Sequence, residues 1–158
     1  MAKLRSTYNN VAGLNKALRR LPKEATEQLR GASREIATFV ASDARGLAVH
    51  VGGIARHVAP TIQSTRDRVP VVRMGGSGRL PTSGHNYSRS RSGSRQTIGD
   101  VIWGAEYGGG ARPTTRQFLP WRGSSTGAGY FLWPTIRRDS DRIHDAYSEA
   151  LLTALQRI

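Results

Sequence analysis

Apolar residues recur at Ala25, Leu29, Ala32, Ile36, Val40, Ala44, Leu47, Val51, Ile54 and Val58. Steps of three and four sustained over so long a run leave little choice of fold, because only a helical repeat keeps such a stripe on one face. Pro22 suits the first helical position, and Glu24 and Glu27 lie where the helix dipole favours negative charge. Ala59-Pro60 supplies a stop, since the residue before proline is pushed out of the helical region. Pro22 to Val58 as one helix would be about 37 residues and roughly 55 Å long. Gly46 and the Gly52-Gly53 pair weaken it, and a kink or break is expected at the pair. A shorter stripe, Val11, Leu14, Leu18 and Leu21, predicts a helix or arm over residues 1–21.

Beyond Pro60 the period changes. Val69 to Met74 (VPVVRM) reads as a short strand, and Thr97 to Tyr107 (TIGDVIWGAEY) as a second, on their β-branched residues. Gln117 to Arg122 and Gly129 to Trp133 flank a Gly/Ser-rich turn and read as a hairpin, with Pro120 confining its strand to an edge. Pro134 can open a C-terminal helix in which Ile136, Ile143, Tyr147, Leu151, Ala154 and Ile158 share a face. Asp141, Asp145 and Glu149 follow an i, i+4 spacing beside Arg137, Arg138 and Arg142, as a solvated or partner-facing surface would. The expected architecture is α+β: one domain over residues 1–158, with a long N-terminal helix, a small antiparallel sheet of about four strands and a C-terminal helix.

Between the first two expected strands, residues 75–96 form a Gly/Ser/Arg-rich connection too long for an ordinary loop in a compact domain. No Asp or Glu occurs between Asp67 and Asp100, whereas Arg68, Arg73, Arg79, Arg89, Arg91 and Arg95 do. The tract SRSRSGSR (Ser88 to Arg95) has no apolar face to bury, so it is expected to act as a mobile arm. The 158-residue chain carries a net charge of +13, which favours acidic partners: nucleic acid, an anionic protein surface or, less readily, a membrane. Nearly all of that charge is arginine. Guanidinium groups pair bidentately with carboxylate or phosphate, although a GC-rich genome produces the same bias.

The sequence offers little to catalysis. Without cysteine there is no thiolate nucleophile, zinc-thiolate site or disulfide framework. His50 and His57 stand two turns apart, outside the i, i+4 spacing of a helical zinc pair, and His85 has no companion ligands. The runs GGSG and EYGGG match neither phosphate-binding nor dinucleotide-binding patterns, and no carboxylate pair suggests general acid–base chemistry. No cofactor or metal is expected. The first ten residues lack the apolar run of a secretion signal, and no segment is apolar enough to span a bilayer, so no membrane partner is expected either. Trp103, Tyr107, Phe118, Trp121, Tyr130, Phe131 and Trp133 crowd the last third among Arg112, Arg116 and Arg122. Strand aromatics point to a core or subunit interface, and base stacking is the alternative.

Three stretches then stand out together: Gly104 to Gly110 (GAEYGGG), QFLPWRG, and a last one beginning GYFLWPTIRRDSDRIHDAYSEAL. They resemble the HK97 gp10-like family of tailed-bacteriophage neck and tail-completion proteins. Glu106-Tyr107-Gly108 matches the family's acidic-aromatic-glycine turn, and Phe131-Leu132-Trp133-Pro134 its strand-to-helix junction. The resemblance covers the C-terminal 60 residues, and the long helix by arrangement alone. The family's TG-x-L stretch after the helix is replaced here by TIQSTRDR.

The resemblance implies a non-enzymatic structural subunit of the head-to-tail connection, assembled in the host cytoplasm and retained in the virion. Its expected partners are further copies of itself in a ring of sixfold symmetry, the neighbouring connector or stopper, the tail terminator and the tail tube, with transient contact to genomic DNA. The expected interface residues are Arg79, Arg89, Arg91, Arg95, Glu106, Tyr107, Trp121, Trp133, Arg137 and Arg138. The arm at 88–95 is then expected to dock on an acidic protein neighbour by arginine–carboxylate pairing. The alternatives are a tail terminator ring, or a basic nucleic-acid-binding protein that uses the arm.

Overall fold

The computed structural model describes residues 21–80, 96–109, 118–123 and 126–156. The expected N-terminal helix (apart from Leu21), Arg89, Arg91 and Arg95 of the arm, His85 and Ile158 lie outside the described residues. So do Arg112, Arg116 and Gln117.

The apolar stripe folds as anticipated. Helix α1 runs Lys23–Val51, and a short α2, Gly53–Val58, follows after a break at Gly52, whose φ of 75° and ψ of −162° interrupt the helix. Gly46, exposed on the outer face, leaves the helix continuous. Pro22 stands one place earlier than expected: it is extended (φ −52°, ψ 157°) and precedes the helix, its carbonyl accepting from the Thr26 N–H at 2.9 Å. Pro60 falls in a single 3-10 turn, Ala59–Thr61. Half of the buried face of α1 is alanine (Ala25, Ala37, Ala41, Ala44, Ala48), which lets neighbouring elements approach the helix closely.

The expected four-stranded sheet is a two-stranded one among the described residues. Strand β1 (Gln63–Thr65) pairs antiparallel with β2 (Val71–Arg73), in the register Gln63↔Arg73, Ser64↔Val72 and Thr65↔Val71. β2 lies within the expected VPVVRM strand, whereas β1 occupies a polar stretch not read as a strand. Side-chain hydrogen bonds help fix the hairpin. The Ser64 and Thr38 hydroxyls are 2.9 Å apart, and the Arg68 carbonyl accepts from both Ser33 Oγ (3.0 Å) and Tyr147 Oη (3.1 Å).

Residues 97–107, expected as a strand, are a helix: α3 spans Ile98–Tyr107. A capping box starts it. The Thr97 hydroxyl accepts from the Asp100 N–H, and the Asp100 carboxylate accepts from the Thr97 N–H at 2.8 Å. Those bonds hold the Asp100 carboxyl below its ordinary range. Val101 and Ala105, one turn apart, then face the core.

The expected hairpin over 117–122 and 129–133 is corrected in the same way. Residues 118–123 form only an isolated bridge, Gly109 to Pro120, and the chain is already helical at Leu132. Helix α4 covers Leu132–Arg138 and α5 covers Ser140–Leu155, so the single expected C-terminal helix is broken at Asp139. Ile136, Ile143, Tyr147 and Leu151 are half-buried on the expected face and Ala154 is buried, while Asp141, Asp145 and Glu149 are exposed. The core gathers Ala41, Ala44 and Ala48 of α1, Ile54 and Val58 of α2, Ile62, Leu80, Val101 and Ala105 of α3, and Phe131. No helix among the described residues is long and apolar enough to cross a membrane.

Candidate assembly surface

Glu106 is the centre of the α3–α4 junction. Near the C-terminal end of α3 its side chain is fully buried, and its carboxylate accepts three backbone N–H groups: Phe131 at 3.3 Å, Leu132 at 2.9 Å and Trp133 at 2.9 Å. These belong to the N-cap residue and the first two residues of α4. A helix start leaves four N–H groups without intrahelical partners. Glu106 takes three, and the fourth position is Pro134, which has no N–H to satisfy. Burial pushes the Glu106 carboxyl above its ordinary range, against the opposing pull of the three N–H donors and of Arg137.

The residues just behind and beyond Glu106 are held to a second segment. Gly109 N–H donates to the Leu119 carbonyl at 2.9 Å, Arg122 N–H to the Tyr107 carbonyl at 2.6 Å, and Gly129 N–H to the Arg122 carbonyl at 2.8 Å. Tyr130 Oη donates to the Pro120 carbonyl at 2.7 Å, and the Arg122 guanidinium lies over the Tyr130 ring at 4.7 Å. Backbone ties of this kind fix the positions of the side chains they carry.

Those side chains form an exposed aromatic surface. Trp103 is 70% exposed, Trp121 62% and Trp133 43%. Trp103 stacks on Tyr107 with centroids 5.6 Å apart and planes 14° from parallel, Trp121 lies 6.2 Å from Tyr107, and Trp133 Nε1 donates to Tyr107 Oη. Tyr107 is therefore the hub, and Gly104, Gly108 and Gly123 complete a shallow apolar hollow between the rings. Large aromatics left exposed together mark an interaction surface in a way that scattered ones do not.

The sequence-derived interface residues thus divide. Tyr107, Trp121 and Trp133 come together on this surface. Glu106 lies sealed behind it, organising the surface from within. Arg137 is exposed beside it and donates to the Ala128 carbonyl. Arg138 lies elsewhere, bridging Asp43 of α1 at 2.6 Å and Asp139 at 2.8 Å. The exposed Arg79 forms a backbone bridge to Thr97, at the root of the arm. Trp103, expected on a strand and not among the interface residues, is the most exposed ring of the set.

Among the described residues, no group of three or more His, Asp or Glu side chains is placed to hold a metal ion. His50 is exposed and His57 half-buried on the helical surface. No protein-family model, curated protein or solved structure matches the chain.

Proposed function

We propose that this chain is a structural subunit of a tailed-phage head-to-tail connection, a neck or tail-completion ring protein that joins the tail to the DNA-filled head. The observation that carries the reading is the junction at Glu106. The two motifs on which the family resemblance rests, Glu106-Tyr107-Gly108 and Phe131-Leu132-Trp133-Pro134, are 25 residues apart in sequence and bonded directly in the fold. Together they present a rigid aromatic face suited to a protein partner, since tryptophan and tyrosine dominate the energetics of such contacts. A ring repeats that contact around its symmetry axis, so a modest single interface sums to a stable assembly. A tail terminator ring is the neighbouring assignment within the same class.

The test is the oligomeric state of the purified chain, by native mass spectrometry and negative-stain electron microscopy. We expect rings from the wild type and monomers from the double variant Trp103→Ser/Trp121→Ser. The variant's thermal stability should change little, because both rings are solvent-exposed. Rings that form equally well from the variant would remove the aromatic face from the assembly.

The near-parallel stack of Trp103 on Tyr107, in a chain of net charge +13, favours one second reading: stacking of single-stranded nucleic acid. A protein of that kind would bind oligonucleotide with a steep loss of affinity as salt rises. Oligonucleotide binding lost in the double variant, with ring formation intact, would favour it.

A further inference from the structure

Two exposed apolar patches, built from different elements, carry opposite charge. The first is the aromatic face. Its cations, Arg122 and Arg137, are exposed and pair with no carboxylate among the described residues. Arg122 lies over the Tyr130 ring, and Arg137 donates to the Ala128 carbonyl.

The second patch is the outer side of α5. Tyr147 and Ala154 turn inward: the Tyr147 hydroxyl donates to the Arg68 carbonyl at 3.1 Å, and Ala154 is buried. At about 100° per residue, Asp141, Asp145, Glu149 and Leu152 fall within about 80° of arc on the opposite side. All four are exposed. Leu152 is 60% exposed, and Leu155 beside it 48%. Other carboxylates are engaged within the fold: Glu27, Asp43 and Asp139 by arginines, Asp100 by its cap and Glu106 by backbone N–H groups. Asp141 and Glu149 have no ion-pair partner among the described residues, and Asp145 has His144 at 3.5 Å. An acidic stripe ending in leucines, on a chain of net charge +13, is a surface complementary to the rest of the molecule.

We propose that the two patches meet between copies of this chain. Leu152 of one copy enters the hollow between Trp103 and Trp121 of the next, with Asp145 and Glu149 against Arg122 and Arg137. The pairing rests on the ring reading given above and names its interface.

Charge selects this occupant first. Face on face would set arginine against arginine, and α5 on α5 would set carboxylate against carboxylate. Like charges across an interface disfavour both, and only face on stripe brings opposite charges together. Fit is the second argument. The hollow includes Gly104, Gly108 and Gly123, so an aliphatic side chain has room between the rings. Asp145 to Leu152 covers about 10 Å of helix. That is comparable with the aromatic row, whose centroids step by 5.6 Å from Trp103 to Tyr107 and by 6.2 Å from Tyr107 to Trp121. The third argument is symmetry. A contact between two different patches passes on from copy to copy and closes into a ring, whereas a self-complementary patch stops at a dimer.

Charge reversal in the full-length chain tests the pairing, with native mass spectrometry over a concentration series as the readout. Asp145→Arg/Glu149→Arg should raise the concentration needed for rings by about tenfold or more, and Arg122→Glu should act in the same direction. All three substitutions combined in one chain should recover most of the loss, because opposite charges meet again. Leu152→Ser, which changes no charge, should also weaken assembly. The substituted side chains are all exposed, and circular dichroism establishes that each variant is folded.

One outcome would overturn the pairing and leave the ring reading standing: Asp145→Arg/Glu149→Arg forms rings at the wild-type concentration while Trp103→Ser/Trp121→Ser is monomeric. Loss in both reversed variants with no recovery in the combination would overturn it too. Assembly indifferent to either reversal, with oligonucleotide binding lost in Arg122→Glu, would give the aromatic face to nucleic acid. A wild type that never forms rings would remove the pairing and the ring reading together.

Discussion

Replacing Glu106 with alanine should lower the stability of the fold by about 3–5 kcal/mol, because it strips three buried N–H groups of their acceptor at once. The wild-type carboxylate is sealed, and each of its three donors sits at the start of α4 with no intrahelical alternative. In a chain of this length that loss corresponds to a fall in melting temperature of about 10 °C or more. Glu106→Gln should recover part of it, since one amide oxygen can still accept while the amide nitrogen faces donors. Thermal unfolding followed by circular dichroism measures both. An alanine variant that melts within a degree or two of the wild type would mean that α4 starts without help from α3.

The second large effect is expected at Gly108. Its backbone is at φ 82° and ψ −179°, a region essentially confined to glycine. A Cβ there would lie 2.2 Å from the Pro120 carbonyl oxygen and 2.6 Å from that of Leu119. Both obstacles are main-chain atoms of the segment that carries Trp121, so no side chain can rotate to make room. Gly108→Ala should therefore cost about 3 kcal/mol or more, the backbone strain alone contributing about 1–3 kcal/mol. It should also push the 118–123 segment away from Tyr107. Near-ultraviolet circular dichroism should lose the signal of the coupled Trp103, Tyr107 and Trp121 rings. Retained stability together with an unchanged aromatic signal would contradict the arrangement described here.

These two residues also show where the sequence was legible and where it was not. The long helix and its break could be read locally, because a stripe of apolar residues and a glycine pair act on their own neighbourhood. Over α3 the sequence points to a strand, because Ile98, Val101 and Ile102 carry strand propensity, whereas the Thr97–Asp100 box that starts the helix is only two residues. Propensity is a weak guide beside a satisfied cap. The C-terminal helix is legible from Pro134 onward, but α4 starts two residues earlier, at Leu132, because the acceptor for its first N–H groups is Glu106, a residue that no window around Phe131 contains. Strand β1 lacks apolar alternation, and polar contacts with α1 hold its hairpin in place.

The candidate surface follows the same division. Glu106, Tyr107, Trp121 and Trp133 were singled out by the resemblance, which concerns short motifs. That Glu106 is buried and that Trp103 is exposed depends on α3 being a helix rather than a strand. A strand would have put Trp103 on one face with Val101 and Ala105, which are buried. The helix instead places Trp103 and Tyr107 four residues apart on one side, and Glu106 on the side that meets α4.

The proposed role, joining phage tails to filled heads, is tested most directly by electron microscopy of the lysate from a phage deleted for this coding sequence. DNA-filled heads lying beside unattached tails of normal length are the expected result, and infectious particles indistinguishable from the wild type would contradict it.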